Sequence, residues 1–348
     1  MKSTSNSSLQ FAHLSKYKAE IYGISILWIM LFHASILGLD YTFGTAFLKP
    51  LDAIIDLGNV GVEIFLFCSG VFLYFAYHNN KNILLFYKKR VTRLFLPVII
   101  ITGLYWIYRY LLLKHNFWLF LRKLTMLDFW VSGDQQIWFV ACILVCYLVY
   151  PLVHLFLFES RFLNSTLRLC ILLLLTASLT FTVYFVFPDY YSEVEIALCR
   201  FPVFFIGCYA GRLVYEKKTL PRYFYAIFLA VSVLGVLVLM FCNLPAPWYR
   251  WSFMLSGIPL TFVFVFMLNA FKCKPVSKFF AFLGTISLNL YVAHIMLIRV
   301  YKLTPLNENR NILHYLLLLV LSVAIAYAAE LLINVITKKK GWLNNQPI

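Results

Sequence analysis

Apolar residues in this chain come in blocks of about twenty, long enough at about 1.5 Å of helical rise per residue to cross the ~30 Å hydrocarbon layer of a bilayer. Short polar stretches part the blocks, which fall near residues 20–39, 58–78, 94–113, 137–158, 167–187, 196–215, 223–242, 250–270, 280–301 and 313–336. The pattern predicts an all-α, polytopic membrane protein of about ten transmembrane helices. The first block, from Ile21 to Leu39, lacks a small-residue cleavage site, and its Ser-rich leader is long and polar, so it reads as a retained helix rather than a signal peptide.

Composition agrees: 62% of the residues are apolar and only 13% are charged, where a soluble domain carries about half and about a quarter. The charges alternate between connections. Two thirds of the 30 Lys and Arg lie on one side, in clusters that include Lys16 and Lys18, Lys88 to Arg93, Arg212 to Arg222, Lys272 to Lys278 and Lys338 to Lys340. The opposite side carries most of the acids, among them Asp40, Asp52, Asp56, Asp128, Asp134, Asp189, Glu193, Glu195 and Glu308. The positive-inside rule then puts both termini in the cytoplasm. The formal charge of +16 is spread over these segments as a topology signal, and no basic soluble domain exists to bind nucleic acid.

No connection is long enough to fold alone, the largest running from Lys114 to Gln136, so a single membrane domain over residues 1–348 is expected, with a polar leader (1–18) and a tail (338–348). Internal repeats are absent to inspection. Pro202, Gly207 and Gly211 in the sixth block and Gly257 and Pro259 in the eighth are weak helix-breaking signals, the Gly207–Gly211 pair reading better as helix packing. The eight cysteines show no metal-site spacing with histidine and read as small apolar packing; no metal or bound cofactor is expected.

Ionisable groups inside the blocks cost roughly 2.5–3.5 kcal/mol each at bilayer depth and therefore face a bundle interior. The four singled out are His33, Glu63, Arg200 and His294. Helical rise places His33 and Glu63 ~9 Å, His294 ~10 Å and Arg200 ~6 Å below the outer boundary, one common layer. A short connection makes the first two helices antiparallel neighbours. Glu63 can then accept from one ring nitrogen of His33 and leave the other basic, the arrangement that takes a proton from an alcohol. The alternatives are a core histidine and a structural ion pair between Glu63 and Arg200. Ser287, Tyr291 and His294 share one helix face and can hydrogen-bond a sugar or a developing oxyanion, or serve as polar glue between helices. In the segment Lys88-Lys89-Arg90-Val91-Thr92-Arg93, which closes at Pro97, Arg90 and Arg93 stand one turn apart and can grip a phosphorylated ligand, or a lipid headgroup.

Six motifs stand in order: AEIYGISILWIMLFHAS (19–35), GNVGVEIFLFCSGVFL (58–73), FYKKRVTRLFLP (86–97), IWFVACILVCYLVYPL (137–152), FPVFFIGCYAGRL (201–213) and LGTISLNLYVAHIML (283–297). The resemblance they carry, from Lys18 to about Glu330, is to the acyltransferase-3 family of bacterial integral-membrane acyltransferases, which modify cell-surface polysaccharides and related glycans. It implies that His33 is the main catalytic residue, that Arg90 and Arg93 serve the acyl donor, usually acetyl-CoA, and that Glu63 and His294 fall on further motif positions. Many members place arginine eleven residues before the helix-1 histidine. Here that position is Tyr22, so Lys16, Lys18 or Arg93 must take its part.

The expected activity is O-acyl transfer in the bacterial plasma membrane, from acetyl-CoA to a sugar hydroxyl of a surface or lipid-linked polysaccharide. His33 and Glu63 are the catalytic candidates; Arg200, Ser287, Tyr291 and His294 are the oxyanion or acceptor candidates; Lys89, Arg90 and Arg93 are the donor candidates. The partners are membrane lipid, acyl-CoA and the glycan. A flippase or transporter of lipid-linked glycans is the alternative from another class, and another acyl group such as succinyl is the alternative within this one.

Overall fold

Hydrocarbon offers no partner to backbone N–H and C=O groups, so apolar blocks of this length must satisfy them internally as helices. The computed structural model, which describes residues 8–37, 49–305 and 312–339, bears this out. Its main helices are α1 (Lys18–Ile36), α2 (Val60–His78), α3 (Ile83–Trp106), α4 (Trp138–His154), α5 (Ser165–Val186), α6 (Pro188–Leu198), α7 (Phe201–Tyr215), α8 (Phe224–Phe241), α9 (Trp248–Phe271), α10 (Lys274–Thr285), α11 (Ser287–Tyr301) and α12 (Ile312–Lys339). Among the described residues, eight helical runs are long and apolar enough to cross a membrane, and α10 with α11 make a ninth, broken one. With α1, a helix stands at each of the ten expected places. Residues 1–7 of the leader, residues 340–348 of the tail, Asp40, Glu308 and Arg310 lie outside the described residues.

Four boundaries differ from the sequence expectation. The second run begins at Leu51 rather than 58, through a single 3-10 turn at Leu57–Asn59. The third runs from Ile83 to Leu113, ending in a π-helical stretch at Ile107–Leu113, so the basic segment belongs to the helix and does not close at Pro97. Proline forfeits only one ladder bond, to the carbonyl four residues back at Arg93, and a long apolar helix absorbs that loss. The sixth run starts at Pro188 and is interrupted at Cys199 and Arg200, because Pro202, in the first turn of α7, cannot donate to a continuing ladder. The ninth is broken at Ile286, so Ser287 opens a helix instead of standing within one.

The chain divides into two compact units. One comprises the residues up to Ile29, Leu57–Asn82 and Val145–Thr285. In it α7 lies directly against α2, and the reason is legible in the glycines: a Cβ on Gly207 would run into the Phe67 backbone, and one on Gly70 into the backbone at Phe204. The Gly207–Gly211 packing expectation therefore holds. A two-stranded antiparallel ribbon, β1 (Ser8–Gln10) with β2 (Thr219–Pro221), belongs to the same unit and is a short element that apolar patterning did not signal.

The other unit comprises Met30–Asp56, Ile83–Leu144 and the residues from Ile286 onward. Here α3, α11 and α12 pack pairwise, and Ala34 of α1, Ile298 and Tyr301 of α11 and Tyr315 and Leu318 of α12 form a buried apolar cluster. The connection from Lys114 to Gln136 folds into two short helices, Phe117–Leu124 and Leu127–Ser132. An ion cluster fastens it. Buried Lys123 meets Asp128 at 2.5 Å and also Asp134, Arg122 meets Asp128 at 3.1 Å, and Arg299 of α11 meets Asp134 at 3.4 Å. Burial pushes the Lys123 amine below its ordinary value, while the hydrogen bond to Asp128 pulls it back up.

Candidate functional site

The residues singled out from sequence fall into clusters, some in each unit. In the first unit, Glu63 is the fourth residue of α2 and only 1% exposed. Its Oε1 accepts from Arg200 Nε at 2.8 Å, and the guanidinium also donates to the Ile196 carbonyl at 2.6 Å and to Asn59 Oδ1 at 3.1 Å. Arg200 owes this position to the interruption ahead of Pro202, which leaves it as the residue just before α7. Room for the carboxylate comes from α9, where a Cβ on Gly257 would stand 2.5 Å from that of Glu63. The alternative reading of Glu63, an ion pair with Arg200, is thus the contact formed. Its second oxygen, Oε2, is buried and accepts no hydrogen bond among the described residues. Two buried opposite charges with three of their hydrogen bonds made form a site of fixed geometry whose halves depend on each other.

In the second unit, His33 lies near the end of α1 and is half-buried, with its ring centroid 5.3 Å from that of His294. His294 is 1% exposed and hydrogen-bonds through Nε2 to the Tyr315 hydroxyl at 3.2 Å. Tyr315, on α12, donates its own proton to the Met30 carbonyl. Two imidazoles and a phenol thus meet in one apolar core. The matching depths expected for His33 and His294 correspond to this contact.

Ser287 and Tyr291 are buried on the same helix as His294, as their spacing requires, and the Tyr291 ring stands edge-to-face on Phe139 at 5.5 Å. Lys89, Arg90 and Arg93 sit within α3, one turn apart, with Lys89 and Arg93 exposed and Arg90 half-buried, its guanidinium 5.8 Å from the Phe86 ring. Tyr22, where relatives carry arginine, stacks on Phe65 at 5.0 Å in the first unit, and the Lys18 ammonium lies 4.5 Å from the Phe72 ring that Tyr22 also meets.

Sequence reasoning missed Tyr315 and Asn59. A tyrosine in an apolar block counts toward hydropathy, which hides its hydroxyl; the available signal was its place as one of few polar-tipped residues of that block. Asn59 precedes α2 within the quoted GNV motif, and only the turn geometry shows that its amide faces Arg200. Among the described residues, no cluster of three or more His, Cys, Asp or Glu is placed to hold a metal ion.

The family model for an acyltransferase domain, that of the acyltransferase-3 family, matches residues 23–331, nearly the whole chain. No curated protein and no solved structure matches.

Proposed function

The chain belongs to the acyltransferase-3 family and is a multi-pass membrane acyltransferase; from that premise we propose that it moves an acetyl group from acetyl-CoA to a sugar hydroxyl of a cell-surface or lipid-linked polysaccharide, in a bacterial plasma membrane with both termini cytoplasmic. The observation that carries the reading is the pair of imidazoles, buried His294 and half-buried His33, 5.3 Å apart. A histidine is the side chain best suited to take a proton from an alcohol near neutral pH, and a dry surrounding prevents water from competing for the acyl group.

In this reading His33 removes the hydroxyl proton or carries the acyl group transiently. Glu63 is the catalytic carboxylate, with its charge balanced by Arg200. Arg200, Ser287, Tyr291 and His294 contact the acceptor or the oxyanion of the tetrahedral intermediate. Lys89, Arg90 and Arg93 hold the phosphates of the donor, since a guanidinium pair at one-turn spacing suits phosphate oxygens. Lys18 is favoured for the part that arginine plays at the Tyr22 position, because its ammonium reaches the aromatic surface beside Tyr22.

The test is purified full-length protein in detergent, given acetyl-CoA labelled in the acetyl group and a panel of lipid-linked glycans, with products read by mass spectrometry. An acetylated glycan and released CoA are expected. Glycan carried across a vesicle membrane unmodified, with no donor consumed, would overturn the reading. A mass increment other than acetyl would change the donor and keep the enzyme.

A further inference from the structure

A phenol has one proton, and Tyr315 has given it to the Met30 carbonyl. Its oxygen can therefore only accept in the contact with His294, and Nε2 of His294 must be the donor at 3.2 Å. Met30, His294 and Tyr315 are 2%, 1% and 2% exposed, so no solvent competes for these groups. With Nε2 protonated, a neutral His294 keeps its lone pair on Nδ1, and that atom is buried with no hydrogen-bond partner among the described residues. From this geometry we infer that Tyr315 is a positioning residue that fixes His294 as the Nε2–H tautomer, and that His294 meets substrate as a hydrogen-bond acceptor rather than as an oxyanion donor.

The inference rests on the acyltransferase reading for its substrate and refines one role within it. An oxyanion needs a donor, and the only N–H of neutral His294 is committed to Tyr315. What Nδ1 offers instead is a lone pair beside the His33 ring, suited to accept from the sugar hydroxyl or from an N–H of His33 and so to aim the proton that leaves. The oxyanion is then left to donors on the same helix such as Ser287 or Tyr291.

Nitrogen NMR of the full chain, labelled with ¹⁵N-histidine in detergent and assigned by His294→Gln, reads the tautomer without any substrate. A neutral His294 signal with a protonated Nε2 and a bare Nδ1 is expected; a protonated Nδ1, or an imidazolium at neutral pH, would overturn the inference. Tyr315→Phe should redistribute that signal between tautomers and lower kcat roughly tenfold or more with the KM for acetyl-CoA unchanged, since a wrong tautomer in a serine-protease triad costs about 10⁴ in rate. His294→Asn, which keeps an acceptor near the Nδ1 position, should retain more activity than His294→Leu at equal melting temperature; equal losses would remove the acceptor role. If no acyl transfer occurs in the parent protein while the spectrum is as expected, the acyltransferase reading of these residues fails and the tautomer stands.

Discussion

Removing one partner of a buried ion pair strands the other, and the Glu63–Arg200 pair allows the effect to be worked out for each side. Replacing Arg200 by Met leaves the carboxylate without its charge-assisted bond from Nε, a loss of about 3–5 kcal/mol by analogy with other buried pairs. Part of that can be recovered, because a carboxyl can take up a proton. Replacing Glu63 by Met strands a guanidinium that cannot deprotonate, although the Ile196 carbonyl and Asn59 Oδ1 still accept from it. Replacing both by Met removes the charges together and should cost little, as apolar substitutes for buried pairs often do. At about 2 °C per kcal/mol for a chain of this size, each single variant should melt roughly 5–10 °C below the parent, and the double variant well above either single. Thermal unfolding in detergent, followed by intrinsic tryptophan emission, is the assay. Lowering the pH should narrow the deficit of Arg200→Met and leave that of Glu63→Met unchanged. Single variants that melt with the parent, or a double variant that loses the sum of both, would refute the coupled buried pair.

Three further outcomes follow from particular contacts. Gly257→Ala places a methyl 2.5 Å from the Glu63 Cβ, so it should lower kcat while Gly103→Ala, which meets only a side chain at 3.8 Å, leaves kcat as it is; steady-state kinetics on matched preparations checks this. Lys123→Met removes the ammonium that Asp128 and Asp134 share, leaving Arg122 and Arg299 as their ion-pair partners among the described residues, and should lower stability by an amount comparable to a broken buried pair, about 3 kcal/mol, read as a lower melting temperature. Glu216 is held below its ordinary carboxyl value chiefly by its hydrogen bond from Arg212. Its contribution is present above the unfolded value of 4.5 and lost as pH falls through the lower folded one, and because the pair is partly exposed the loss should stay under about 0.5 kcal/mol, measured as the pH dependence of melting with and without Arg212→Gln.

The membrane helices were legible because hydrocarbon permits so few backbone solutions: an apolar block of this length becomes a helix almost regardless of its order. Hydropathy averages over a window, and that is why it passed over the interruptions at Arg200 and Ile286, each set inside an apolar block. Pro202 was a signal for the first. Depth counted from helix ends placed His33 and His294 in one layer, and their rings do meet, but depth carries no rotation about the helix axis and cannot name partners. Glu63 illustrates the limit, since Arg200 in the same layer was as eligible as His33, and Arg200 is what it holds. Lys123 was legible only as a charge in a loop, because its burial depends on Asp128 and Asp134 folding back over it. Tyr315 was invisible for the opposite reason, a polar group carried on a ring that behaves as apolar.

The proposed function stands or falls on His33 performing the acyl-transfer chemistry. Its most direct measurement is the initial rate of labelled acetyl transfer to the glycan acceptor by the parent protein and by His33→Ala, in preparations with the same melting temperature. Loss of roughly 10²-fold or more in kcat is predicted, the range that a positioned acid–base group supplies. A variant that transfers acetyl within two- to threefold of the parent would contradict the account, because no proton-transfer role of ordinary size could then belong to that imidazole.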